Sequence, residues 1–478
     1  MTMKVITGKF LTASTVGSEG ENFELADSDV REDTRMVKRN ARRGAVVAVL
    51  LGALALSACA SSGGSSSDPE SCTPAPKGEK VTLSLSTWIP NFQETVDLWN
   101  SEHPDIQVDY TEVTQGNQGT YQTYLNQIKA GKTADLGYFD YDVLPTFRIA
   151  DGLRNLYKCA GVADAQDKFI KSAWTATTFG QDKSIYGLGL DFTPEGLFYR
   201  ADLFKQAGIP VPTTWDEYYQ AAKAVRATGG YIANLPSWGT FWPTNWMQAG
   251  KKWFELDGDT WKVNIATDEN KQIADRLQQL VDEKLVTTYP LFQDEYSKAL
   301  NDGVIWSQLG GPWGFRLIPS SAADTAGNWS LTKMPVIDGS TSIASWGGAA
   351  MGVFKNSAHP YEAAEFALWA TTDPKALALN SSRGGIFPPI KDVVSQVPEM
   401  QATNPFFGDQ AVFKEMNSWA EDVNPEWLWG PTMVQVNADL ESEMAKALSG
   451  QQTIFDALKV VQGNTVDAIK SQGLSVTQ

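Results

Sequence analysis

The chain has 478 residues, 42% of them hydrophobic, and 39 Lys and Arg against 56 Asp and Glu give it a net charge of −17. A surface this acidic repels phosphate backbones and anionic lipid, which argues against nucleic-acid binding and against a polybasic membrane patch. Only two histidines and three cysteines are present, and both histidines precede proline (His103-Pro104, His359-Pro360), as at a turn or helix entry. A histidine metal cluster, a closed zinc site or a Ser-His-Asp triad is therefore not expected, and neither is a cofactor.

The first element in chain order is a basic cluster, Lys38, Arg39, Arg42 and Arg43, followed by an apolar run from Gly44 to Leu56. At 13 residues the run is short of the roughly 20 that span a bilayer. Basic region, short apolar region and small residues make a secretory signal, and Leu56-Ser57-Ala58-Cys59 resembles the lipobox of bacterial lipoproteins, whose cysteine is lipidated and becomes the mature N-terminus. Met36 directly precedes the basic cluster and reads as the true start, so residues 1–58 are expected to be an upstream extension plus leader. Residues 59–78, rich in Ser and Gly, then form a flexible tether. The protein is expected at the outer face of a bacterial cell membrane, held by lipid alone. With Cys59 taken by lipid, Cys72 and Cys159 remain, either as a disulfide closing a long loop or as free thiols.

The 420 residues from Cys59 to Gln478 exceed the roughly 250–300 at which one core stops growing, so two domains are expected. Val81 to Thr87 alternates as a strand. Phe92, Val96 and Trp99 follow at helical spacing, with Asn91 as a candidate N-cap. Ile106, Val108 and Tyr110 alternate again, "YQTYLNQIKAGKTAD" is a helix ending near Gly131, and "LGYFDYD" is the next strand and its end. Strand–helix–strand–helix–strand indicates a mostly parallel α/β sheet flanked by helices. Thr214-Trp215-Asp216-Glu217 is a capping box opening a helix, and Ile454, Leu458 and Val461 mark a packed terminal helix. All 17 tryptophans follow Cys59. An indole offers a flat apolar face and one N–H donor, which suits the C–H face and hydroxyl rim of a sugar ring.

"TWIPNFQETVDLWNSEHPDIQVDYTEV" and "AGKTADLGYFDYDVLPTF" resemble the first lobe of family 1 extracellular solute-binding proteins, the carbohydrate receptors of ABC importers, a group that includes maltose-binding protein. "SIYGLGLDFTPEGLFYRADLFKQAGIPVPTTWDEY", "GGPWGF", "SWGGAAMGVFKNSAHPYEAAEFALWA" and "SRGGIFPP" continue the match in order, over essentially all of residues 80–475. One departure stands out: Gly189 occupies the place where the family usually has proline after Tyr-Gly-Leu. The resemblance implies a two-lobed periplasmic-binding-protein-like fold (type II), with mostly parallel sheets and flanking helices. Three hinge crossovers are expected near Leu190–Thr193, Ile343–Trp346 and Gly385–Pro388. The N-terminal lobe would comprise 79–190 plus 346–386, and the C-terminal lobe 191–345 plus 387–478.

Ligands in open α/β sheets sit beyond the carboxyl ends of strands. That places Trp88, Asp140, Asp142 and Asp191 as candidates, since a carboxylate can accept two sugar hydroxyls. Gln115, Asn117 and Gln118 offer amides in the loop "QGNQG". Among Trp238, Trp242 and Trp246, spaced by four but interrupted by Pro243, at least one should face the cleft. Trp313 stands between glycines in "GGPWGF", and Trp346-Gly347-Gly348 repeats that arrangement at a crossover. Arg383 could reach hydroxyls or pair with Asp140, or lie on the surface. Trp427 and Trp429 alternate, so that one stacks on ligand and the other packs; Trp427 is taken as the binder. The favoured function is an extracellular receptor that delivers an oligosaccharide to ABC permease subunits, as a monomer and without catalysis. The alternative is a surface-tethered glycoside hydrolase that recruits two of Asp191, Glu195 and Glu426 as its paired carboxyls.

Overall fold

The computed structural model describes residues 72–337 and 339–478. The leader, Met36, Cys59 and the tether as far as residue 71 lie outside the described residues. Among those described, no helix is long and apolar enough to cross a membrane.

The first lobe is built on β1 (Val81–Thr87), whose alternation buries Val81, Leu83 and Leu85. β2 (Ile106–Glu112) runs parallel to it in the register Val81↔Ile106 to Thr87↔Glu112. β3 (Leu136–Asp140) runs parallel on its other side and is buried almost throughout. Helix α1 (Phe92–Glu102) connects β1 to β2 and buries Phe92, Val96 and Trp99. Helix α2 (Thr120–Ala130) connects β2 to β3 and ends at Gly131 with φ 65°. Asn91 does not cap α1 with its side chain; it adopts a left-handed conformation, and its Nδ2 donates to Arg383 O at 2.9 Å.

After β3 the chain turns through α3 (Leu144–Ile149) and α4 (Lys171–Thr178) to β4 (Leu188–Asp191). Between β3 and β4 lies a strand from far along the chain, Ala349–Val353, antiparallel to both. Four strands of this sheet thus share one direction and a returning one opposes them. Gly189 has a local reason: a Cβ there would lie 2.5 Å from Tyr141 Oη and 2.8 Å from Pro389 Cγ. The ring of Tyr141 fills the space that a larger residue would need.

In the second lobe β5 (Gly196–Arg200) is central, flanked antiparallel by Ser307–Gly310 and Trp329–Lys333. Thr214 and Glu217 form the expected capping box at helix Trp215–Ala227, and helix Ile454–Ser471 buries Ile454, Leu458 and Val461. Two crossings between the lobes hold each other: Glu195 N–H donates to Ala344 O at 2.9 Å and Trp346 N–H to Thr193 O at 3.1 Å. The third lies later than Gly385–Pro388. Phe387 and Pro389 accept from Phe192 and Ile170, and Ser381 Oγ donates to Met400 Sδ, so the chain stays on the first-lobe side to about residue 401. It reaches the second sheet at Gln410, which bonds the backbone of Leu331.

Cys72 and Cys159 are joined in a disulfide, their Cα atoms 5.1 Å apart and 87 positions apart in sequence. The free-thiol alternative is thereby set aside, and the start of the described chain is pinned to the first lobe.

Candidate functional site

The carboxyl ends of β1, β2, β3 and β4 all open on one cavity of about 280 Å³, which the second lobe and the crossings close from the other side. From the first lobe come Trp88, Gln115, Asn117, Tyr138, Asp140, Asp142 and Asp191. Trp88 stands edge-on to Tyr138, with ring centroids 4.8 Å apart, and to Tyr121 at 5.7 Å. These ring contacts fix the indole at the end of its strand.

The carboxyl groups here are crowded and dry. Asp140 and Asp191 keep some contact with the cavity, but protein surrounds their carboxyls, while Asp142 is buried outright. Burial pushes Asp140 up, and repulsion from Asp142 and Asp191 adds to this against the pull of the Tyr121 hydroxyl, which itself accepts Asp140 N–H at 2.9 Å. Burial likewise raises Asp142, opposed by the Asn437 amide that donates to its Oδ2 at 2.6 Å. Asp191 is pushed up to about 7 by burial, although its Oδ1 accepts Phe387 N–H at 3.1 Å.

The opposite wall is aromatic. Trp313 and Trp346 meet edge to face with centroids 5.0 Å apart, and Trp313 Nε1 donates to Trp346 O at 3.3 Å. Phe241, Trp238 and Phe292 extend the cluster, with Trp346 touching Phe241 at 5.1 Å and Trp238 at 6.2 Å. Trp346 Nε1 donates to Thr240 Oγ1 at 3.0 Å. Only 4% of Trp346 is exposed, so its indole is largely the foundation of the wall, whereas Trp238 is 39% exposed and presents its face. Glycines let the indoles and the crossing come close: a Cβ on Gly310 would lie 2.7 Å from Trp313 Cη2. Gly347 and Gly348 have φ of +94° and +83°, in the left-handed region that glycine tolerates.

The structure thus brings Trp88, Asp140, Asp142, Asp191, Trp238, Trp313, Trp346, Gly347 and Gly348 to one cavity, with Gln115 and Asn117 on its rim. Five sequence candidates are not among its lining residues. Trp242 is fully buried, because Pro243 starts a seven-residue helix packed on every side; Trp246 of that helix is buried too, its Nε1 donating to Asn270 O. Gln118 is exposed at the end of a single helical turn, beside the two amides that do reach the cavity. Arg383 is 60% exposed and pairs with Glu94 at 3.1 Å, not with Asp140. Trp427 packs edge-on against Trp429 and lines a separate hollow of about 30 Å³ behind Gly347, while Trp429 is the member of the pair that reaches the main cavity. Of the carboxyls considered for hydrolysis only Asp191 lines the cavity: Glu195 is wholly buried in the first crossing, and Glu426 is exposed and paired with Lys252. Sequence reasoning missed Tyr138, Thr193, Thr240, Phe292, Arg316 and Leu317. Arg316 lies one helical turn beyond Trp313, a spacing that could have found it; Phe292 sits in an irregular loop with no such signal.

A model of bacterial extracellular solute-binding proteins matches residues 82–376. The lactose-binding protein of Rhizobium radiobacter is 25% identical over 369 residues, covering 74% of this chain and 84% of the relative. The arabinooligosaccharide-binding protein of Bacillus subtilis is 22% identical over 413 residues, covering 82% and 91%. Among solved structures, the galacto-N-biose/lacto-N-biose I-binding protein of an ABC transporter from Bifidobacterium longum, in complex with lacto-N-biose, superposes with a TM-score of 0.75 at 27% identity. That alignment covers 84% of this chain and all of that one. With the matched region spanning more than half its length, and with carboxyl-ended strands facing an indole wall across paired crossings, the chain belongs to the bacterial extracellular solute-binding proteins.

Proposed function

We propose that this protein is the carbohydrate receptor of an ABC importer, closing its two lobes on a short oligosaccharide and passing it unaltered to the permease. The observation that carries the reading is the division of the cavity into two chemistries. First-lobe carboxylates and amides can accept and donate to ring hydroxyls, while second-lobe indoles can stack on the C–H faces. Three acidic side chains against the single arginine of the lining, Arg316, disfavour a phosphorylated or carboxylated sugar. The relatives named above are described as binding lactose, arabino-oligosaccharide and lacto-N-biose, and neutral glycans of that size are the first to test.

Tryptophan fluorescence and calorimetry across such a panel, with product analysis by chromatography, decide the matter. Saturable binding without turnover supports a receptor; cleavage of any glycan would overturn it. The rest of the reading is a lipid on Cys59 after removal of a leader that starts at Met36, a flexible tether to the outer membrane face, and work as a monomer.

A further inference from the structure

Asp142 lies in the turn after β3, lines the cavity from the first lobe and is 8% exposed. Its Oδ2 accepts a hydrogen bond from Asn437 Nδ2 at 2.6 Å. Asn437 belongs to the helix Met433–Leu448, which packs on the terminal helix Ile454–Ser471 and on the single turn Gly239–Phe241, both second-lobe elements. A second bond runs between the same faces, Thr146 Oγ1 of α3 donating to Pro431 O at 3.0 Å. On its other side the backbone of Asn437 presses directly on Gly239, where an added Cβ would lie 2.0 Å from Asn437 O. Gly239 stands between Trp238 and Thr240, and Thr240 holds the indole N–H of Trp346. Asn437 is therefore in contact with the acidic side of the cavity through its side chain and with the aromatic side through its backbone.

We propose that Asn437 is a positioning residue and interlobe latch: its amide holds the Asp142 carboxylate toward the cavity and ties the two lobes together at the back of the cleft before ligand arrives. Its Oδ1 accepts no hydrogen bond from any of the described residues. A buried amide that leaves its acceptor unused is costly, so its one bond to a carboxylate is the interaction that compensates for its burial. Such charge-assisted bonds are about twice as strong as neutral ones. Opening the lobes would break it, together with the Thr146 bond, and expose both groups to water. The free protein is thus biased toward closure, and a ligand hydroxyl meets an Asp142 already in place. The second half of this inference rests on the carbohydrate reading; the first half does not.

The test has an arm that needs no ligand. Small-angle scattering of the free full chain should show a larger radius of gyration for N437A than for wild type, with unchanged circular dichroism. Alanine favours the helix that Asn437 occupies, so the variant is expected to fold. The exchange D142N/N437D restores the bond with donor and acceptor swapped, and should return the free protein to wild-type compactness. Equal radii for wild type and N437A, or an exchange variant as expanded as N437A, would overturn the latch. In calorimetry with lactose and lacto-N-biose, whichever binds wild type should bind N437A roughly tenfold more weakly, the size of one charge-assisted bond. The exchange variant should not recover that loss, because the cavity then lacks its carboxylate; full recovery would overturn the positioning role. If neither sugar binds wild type, the carbohydrate reading fails on those probes and the scattering comparison still decides the latch.

Discussion

Replacing Glu195 by Gln should stabilise the protein at pH 8 and leave it almost unchanged at pH 5. Glu195 lies in the first crossing, 0% exposed, and neither carboxyl oxygen has a hydrogen-bond partner among the described residues. The Thr244 hydroxyl lies close enough to hold its pKa down in part, but gives its proton to Phe241 O at 2.8 Å. Burial dominates and pushes the carboxyl from 4.5 up to about 8. With the folded value above the unfolded one, the folded chain keeps its proton over a range where the unfolded chain has released it. Stability is then highest below pH 4.5, falls from there to about pH 8, and is level beyond. At about 1.4 kcal/mol per pH unit the whole loss approaches roughly 5 kcal/mol in a rigid site, and relaxation around the ion brings it to about 3 kcal/mol. Glutamine keeps the shape without the charge. Urea denaturation of both proteins at pH 5 and pH 8 measures the difference, and the variant's profile should remain sloped because Asp140, Asp142 and Asp191 are shifted the same way. A stability difference that is equal at the two pH values would refute the reasoning.

Four further outcomes are expected. Trp238→Ala should weaken glycan binding roughly tenfold at nearly constant melting temperature, as loss of one stacking face implies. Trp313→Ala and Trp346→Ala should each weaken it by more, with Trp346→Ala also lowering stability by about 3 kcal/mol, since it empties a packed site; calorimetry and thermal melts separate the two effects. Reducing the Cys72–Cys159 disulfide, which closes a loop of 87 positions, should cost roughly 2–5 kcal/mol in a urea titration with and without reductant. Glycan affinity should rise with pH through about 7, by up to tenfold per unit, because hydroxyls bond the ionised carboxylate best; Asp191→Asn should flatten that rise.

Much of the first lobe is legible in the chain because its signals are local. Val81–Thr87 and Ile106–Glu112 alternate and Gly131 ends its helix; in the second lobe Thr214 and Glu217 cap theirs in the same local way. The strand Ala349–Val353 carries no mark of where it inserts, since its partners β3 and β4 lie more than 150 positions away. The acidic half of the cavity lining was legible for a related reason: Asp140, Asp142 and Asp191 stand at strand ends, and these strand ends open on the cavity. The aromatic half was not. Trp238, Trp242 and Trp246 have the same spacing and chemistry, and only the helix that begins at Trp242 turns the last two into core while leaving the first at the rim. Trp427 and Trp429 alternate as expected, but which of them meets the cavity depends on packing against Trp253, a contact that no short-range pattern encodes.

In the proposed receptor the buried carboxyls would also couple closure to binding. Asp140, Asp142 and Asp191 are held away from water with few protein donors, which costs stability as pH rises. Ligand hydroxyls can supply the missing donors, so part of that cost is recovered only when a sugar occupies the cavity. The indoles of Trp238 and Trp313 contribute apolar area and almost no charge, and they belong to the other lobe. Neither lobe alone therefore presents a complete site, and the affinity of each half is realised only in the closed arrangement. A ligand shifts a two-state equilibrium by as much as its affinities for the two states differ. Splitting donor-hungry carboxylates from stacking faces makes that difference large for a neutral polyhydroxylated ring, and small for any ligand that satisfies one wall only.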